Sequence, residues 1–127
     1  MVIKNFNILI EALKQVIALC KSGANVYQIC VSGDAIIKKL LSNIYTKKKY
    51  IKGVAFPTCI SVNEICGHNA PVTSEDTKEE HIYKTLSAGD VVKVDLGVQI
   101  QGFPCVVAHT LVVLDNPEEV VSGKSRI

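Results

Sequence analysis

Four lysines, Lys47, Lys48, Lys49 and Lys52, crowd one short stretch and are interleaved with Tyr45 and Tyr50. Such a cluster can follow the phosphates of a nucleic acid while a ring stacks on a base, although a solvated loop has the same composition. Two further residues have the types that catalysis and metal binding use: His68, within Cys66-Gly-His68, and Asp95, within a strongly apolar run. A carboxylate bridges metal ions only where other acids lie beside it, and a histidine moves protons efficiently only where a second group orients it. Taken alone, His68 reads as a hydrogen-bonded structural histidine, and Asp95 as a strand carboxylate satisfied by amides or by Lys93. Cys20, Cys30, Cys59, Cys66 and Cys105 contain no C-x-x-C pair. Their odd number and the lack of a secretory leader suggest reduced thiols in an intracellular protein, and no structural zinc site is expected.

These residues must be held by a chain of 127 residues, enough for one domain and too few for two. A formal charge of +2 gives no global field that would by itself draw nucleic acid, so any such affinity has to be local. The chain is 48% hydrophobic, and its mean hydropathy of +0.28 is high for a domain whose whole surface meets water. Part of that apolar surface is expected to belong to a partner. Lys4, Asn5, Glu11, Lys14 and Gln15 interrupt the apolar N-terminus, which excludes a signal-peptide core and a membrane span, so a soluble protein is expected.

Phe6, Leu9, Leu13, Val16, Ile17 and Cys20 recur at helical spacing, and Gly23 supplies a stop, so a helix is expected over about residues 5–22. Asn25 and Gln28 have the capping-box spacing and open a second helix, about residues 26–45. Its buried stripe should be Val26, Ile29, Cys30, Ile36, Ile37, Leu40, Leu41 and Ile44, with Gly33 thinning the helix or admitting a close neighbour. From Gly53 the pattern turns to strand, and a sheet region is expected over about residues 53–114. Val54 to Val62 forms its first strand, where Pro57 demands a bulge, an edge or a special backbone position. The polar segment Val72 to Asp90 reads as a surface loop. Val91 to Ile100 and Phe103 to Leu114 then form a long hairpin around Gln101-Gly102. On its first arm Val92, Val94, Leu96, Val98 and Ile100 share one face, and Lys93, Asp95, Gly97 and Gln99 share the other. The second arm is apolar on both faces and should be covered on both. The fold class is α/β (α+β), with two helices followed by an antiparallel-rich sheet in a single partial domain over residues 1–127.

Three stretches, Lys52-Gly-Val-Ala-Phe-Pro-Thr-Cys-Ile-Ser-Val-Asn63, Cys66-Gly-His68 and Lys93-Val-Asp-Leu-Gly-Val-Gln-Ile-Gln-Gly-Phe103, in this order, resemble the pita-bread family. That family holds the type 2 methionine aminopeptidases and their proliferation-associated (ErbB-receptor-binding) relatives. Ser32-Gly-Asp-Ala-Ile36 extends the likeness into the helices, and Val107-Ala-His-Thr-Leu-Val-Val113 looks more like the proliferation-associated branch. The resemblance implies a fold of two pseudo-symmetric halves, of which this chain would supply the N-terminal one. It also implies that the peptidases seat two metal ions between the halves. Two of their ligands are aspartates on the arms of the hairpin, at positions matching Asp95 and Val106; the others, a histidine and two glutamates, would belong to the second half. If a two-residue turn lies at Ile100 and Gln101, positions 95 and 106 are direct cross-strand neighbours.

Valine has no lone pair to donate, so the implied reading is a protein without metal, cofactor or peptidase activity. His68, matching a substrate-contacting histidine of the peptidases, and Asp95 are remnants of family positions. The function implied is that of an RNA- or ribosome-binding and protein-binding factor in translation and growth regulation, in the cytoplasm and in the nucleus or nucleolus. Lys47, Lys48, Lys49 and Lys52 are its candidate nucleic-acid contacts. Two alternatives stand beside it. One is part of an active type 2 methionine aminopeptidase with a dinuclear metal centre. The other is an interaction fragment that associates with itself, or with the missing C-terminal half, through an exposed sheet face. No membrane partner is expected.

Overall fold

The computed structural model describes residues 2–47, 49–71 and 84–116, and the side chains of all of these except 2–5. Two helices lie on one face of a three-stranded antiparallel sheet. Helix α1 spans Val2–Leu19 and helix α2 spans Val26–Ser42. Along α1 the buried side chains are Ile8, Leu9, Ala12, Leu13 and Val16, followed by Cys20 just beyond the helix. Phe6, expected on the same stripe, is 49% exposed. Spacing fixes which side of a helix a residue occupies but not whether anything lies opposite it. The helix stops at Leu19, before Gly23, which with φ +85° turns the chain rather than ending the helix.

Helix α2 begins as its sequence directs. The Asn25 side chain accepts a hydrogen bond from the Gln28 amide at 3.0 Å, satisfying one orphan donor of the first turn. Val26, Ile29, Cys30, Gly33, Ile37 and Leu41 are buried, with Ile36, Leu40 and Ile44 packed at the margin. The helix ends at Ser42, short of the expected Tyr45, and Asn43 caps it. The Lys52 ammonium reaches back and donates to the carbonyls of Leu41, which also accepts from the Ile44 amide at 3.3 Å, and of Ile44, just past the helix end.

Strands β1 (Lys52–Val62), β2 (Val91–Ile100) and β3 (Phe103–Val112) lie in that order in the sheet. The pairing of β1 with β2 is irregular between Val54 and Phe56 and again between Phe56 and Cys59, so Pro57 sits in a break of the ladder where its missing donor costs nothing. Gln101 and Gly102, with φ of 55° and 79°, make the two-residue turn between β2 and β3. Positive φ at both central residues twists the turn in the same sense as the flanking strands. On β2, Val92, Val94, Leu96, Val98 and Ile100 are completely buried beneath the helices.

Two expectations are corrected. Strand β3 is covered on one face only: Cys105, Val107 and Leu111 pack against the core, while Val106, Ala108 and Thr110 point away from the helices and are exposed. Its apolar run records two hydrocarbon faces, of which the described residues cover one. Residues 72–83 of the expected surface loop lie outside the described residues, but its end is structural. Gly23 donates to Leu86, Leu86 to Ala24 and Val26 to Lys84, all at 2.8–2.9 Å, and Leu86 is buried in the core. One leucine in a polar segment was too small a pattern to mark this crossing.

Candidate functional site

The sheet face turned away from the helices holds the residues with chemical potential. Across the ladder Asp95 is paired with Cys59 on one side and Ala108 on the other, and Gly97 with Phe56 and Val106. The direct opposition of Asp95 and Val106 is therefore corrected. The turn lies one residue later than Ile100 and Gln101, which moves each partner of β2 along β3 by two. An even shift preserves the face. Val106 becomes a diagonal neighbour of Asp95, at the roughly 7–8 Å typical of such positions, and Ala108 becomes the direct one.

The direct neighbour of the acid across the hairpin, Ala108, and the diagonal Val106 are thus hydrocarbon, and the other diagonal, Thr110, carries a hydroxyl. A pair of divalent cations needs several oxygen or nitrogen ligands around a bridging carboxylate. Val106, Ala108 and Gly97 offer no side-chain donor, and Thr110 and Cys59 supply no carboxylate, so the described residues around Asp95 do not fit a carboxylate-bridged pair. Among the described residues, no three His, Cys, Asp or Glu side chains are grouped so as to hold a metal ion.

The expected pairing of Lys93 with Asp95 is also corrected. Asp95 makes no hydrogen bond or ion pair among the described residues. Lys93, expected to satisfy it, donates instead to the Asn63 carbonyl. Asn63 has φ 52° and closes the β1–β2 end of the sheet. Its side chain donates to Asp90 and accepts from the Val91 amide, both at 2.9 Å, and its own amide donates to the Val91 carbonyl. His68 is exposed, with φ 61°, and has no hydrogen bond among the described residues. Its neighbour Asn69 holds this loop to β1, donating through Nδ2 to the Ile60 carbonyl at 2.8 Å and accepting from the Ile60 amide at 2.9 Å. Cys59, beside Asp95, has its thiol pKa raised, first by burial and then by the charges of Asp95 and Asp34.

The lysine cluster lies past the C-terminal end of α2. Lys47 and Lys49 are exposed, Lys48 lies outside the described residues, and Lys52 is half-buried in its capping role. Tyr45 and Tyr50 pack edge to face, with centroids 5.3 Å apart, and both lean on the core. Much of their ring surface is therefore used within the protein.

Asp34 is not among the site residues expected from the sequence. Its Oδ1 accepts from the Thr58 amide at 2.9 Å and from the Thr58 hydroxyl at 2.8 Å. Thr58 lies in the irregular part of β1, directly against Gly33. The Gly-Asp pair within a helix was the available signal, because neither residue favours a helix interior.

Residues 8–122 match the description of metallopeptidase family M24. The chain belongs to that family. Within it, the chain is 43% identical over 109 residues to ErbB-3 binding protein 1 of Arabidopsis thaliana, covering 84% of this chain and 26% of that protein. It is 42% identical over 115 residues to proliferation-associated protein A of Dictyostelium discoideum, covering 90% of this chain and 28% of the relative. The structure of a thermophilic Arx1 superposes with a TM-score of 0.81 at 29% identity, over 96% of this chain and 32% of that one. The M24 chain is thus homologous to the proliferation-associated branch and has the pita-bread fold, and it spans about a quarter of the length of these curated relatives.

Proposed function

We propose that this M24 protein is a non-catalytic binding factor that associates with RNA or the ribosome and with protein partners, acting in translation and growth regulation in the cytoplasm and nucleus. The observation that carries the non-catalytic part is the pair of hydrocarbon side chains, Val106 and Ala108, on the face of Asp95. A dinuclear centre would need acids there. Homology to proteins named for proliferation and for binding ErbB-3 supports the choice of a binding role over a peptidase.

The basic end of α2 is the surface we assign to nucleic acid, through Lys47, Lys48 and Lys49. Lys52 belongs to the same cluster in sequence, but its capping bonds give it a second task. RNA affinity measured over a salt series tests this. Replacing Lys47, Lys48 and Lys49 with serine should weaken binding and flatten the log–log slope by roughly 0.7 for each phosphate no longer neutralised by a lysine. Lys52→Met should leave the slope alone and cost about 1–2 kcal/mol of stability, because it removes charged donors from a helix end. Unchanged affinity and slope in the triple variant would remove the cluster from the assignment. Two bound metal ions together with turnover of a Met-peptide by the intact protein would overturn the non-catalytic reading.

A second reading rests on the exposure of Val106, at 61%, and of Ala108 on the face of the edge strand turned away from the helices. The open sheet face associates with a second copy of the chain or with the remainder of a longer one.

A further inference from the structure

A cavity of about 220 Å³ opens between α2, the irregular stretch of β1 and the loop that follows β1. Tyr27, Val31, Pro57 and Pro71 supply apolar walls, and Asp34 and Thr58 its polar side. Pockets for small-molecule ligands usually run to roughly 300–1,000 Å³, so this one suits a single side chain better than a cofactor.

The electrostatics narrow the occupant. Both hydrogen bonds to Asp34 go to Oδ1, from the amide and the hydroxyl of Thr58. Oδ2 has no partner among the described residues. Lys38, one turn further along α2 at the spacing that permits an ion pair, is exposed and makes none with Asp34. Among the described residues the carboxylate is therefore held by one oxygen, with the other left free at a pocket whose remaining walls are apolar. A phosphate would be repelled and a wholly apolar group would leave that oxygen unpaired on desolvation. A long cationic side chain meets both demands, because its methylene stem lies on Val31 and the prolines, its head reaches the carboxylate, and a tyrosine ring stands at hand for cation–π contact.

We propose that this pocket receives an arginine or lysine side chain of a protein partner. Such a site is separate from the basic end of α2, since a surface that attracts phosphate and one that attracts a cation cannot be the same. It also gives the protein-binding part of the function a chemical preference of its own: a basic partner segment, with one anchoring residue.

Capped arginine, capped lysine and capped citrulline, the last a neutral isostere of arginine, can be titrated into the isotopically labelled protein and followed by amide chemical shifts. The cationic probes should move the signals of Val31, Asp34 and Thr58 and weaken with salt, while citrulline binds roughly tenfold less well, as expected when one charge-assisted hydrogen bond is removed. Asp34→Asn should weaken arginine to the same degree. It keeps a carbonyl oxygen for both Thr58 bonds and so should preserve the fold. Tyr27→Ala removes one wall while leaving the Asp34–Thr58 contacts in place, and should weaken arginine and lysine together. Equal binding of arginine and citrulline, arginine shifts that survive Asp34→Asn, or shifts confined to other parts of the molecule would overturn the proposal. RNA affinity of Asp34→Asn should match that of the parent, so a failed lysine-cluster assignment and a failed pocket are read separately.

Discussion

Burial holds two thiols of the core firmly protonated. Cys30 is pushed up from 9.0 to about 12, chiefly by desolvation and then by the neighbouring Cys59, and Cys20 rises to about 11 by desolvation alone. In the unfolded chain both would ionise near 9.0. Between that value and the raised ones the folded state binds more protons than the unfolded state, so stability falls as pH rises. The stabilising contribution is complete below 9.0 and disappears as pH climbs through about 11 for Cys20 and about 12 for Cys30. Urea midpoints measured from pH 8 to pH 10.5 should therefore decline, and Cys30→Val should decline less steeply than the parent. Parallel curves would show that Cys30 does not ionise differently in the two states. At this scale the sequence was a partial guide. It displayed the hydrocarbon at position 106 and the free cysteines, but not Asn63 or Asp34, whose bonds join residues 24–28 positions apart. No local pattern announces a side chain that closes such a distance.

Elements were more legible than single contacts, because a repeating pattern averages over many residues. Five alternating residues of β2 specified its buried face, and the Asn25 cap specified where α2 begins. The pattern also placed the hairpin turn at Gln101-Gly102, where it lies. What it left undecided was depth: it could not say that Phe6 stays half exposed or that, among the described residues, one face of β3 lies open. Gly33 shows why an element can need a residue that its own propensity disfavours. Alanine there would favour the helix by up to about 1 kcal/mol. Its added carbon, however, would meet Thr58 Cγ2 and Oγ1 at 2.6 Å, and Thr58 is fixed twice over by Asp34. The threonine cannot swing aside without breaking those bonds, so overpacking should prevail at about 1–3 kcal/mol. We expect Gly33→Ala to lower the urea midpoint, and Gly33→Ala with Thr58→Ser, which removes one of the crowding atoms, to recover part of the stability. A single substitution that stabilises the protein would mean that α2 and β1 do not approach this closely.

At the scale of the whole molecule the fold is lopsided. Both helices cover one face of the sheet, and the core lies between them. The opposite face offers Val106, Ala108 and Thr110 on a ten-residue strand that pairs, among the described residues, with β2 alone. An exposed apolar strand at a sheet edge is a template for a further strand, because its outward amides and carbonyls remain available. The 127-residue chain should accordingly self-associate as concentration rises, with sedimentation velocity showing a shift from monomer to dimer or larger species. Val106→Lys with Ala108→Lys places two charges on that face at exposed positions. The stability change should stay within about 0.5 kcal/mol, since surface substitutions away from buried groups seldom do more. Association should nevertheless be abolished, because two copies of this face would then bring like charges together in an interface they must desolvate. A longer chain that covers the same face with its own residues would sediment as a monomer at all concentrations. A strictly monomeric 127-residue chain would instead mean that the apolar face of β3 is tolerated in water, leaving its hydrocarbon to record only the absence of acids beside Asp95.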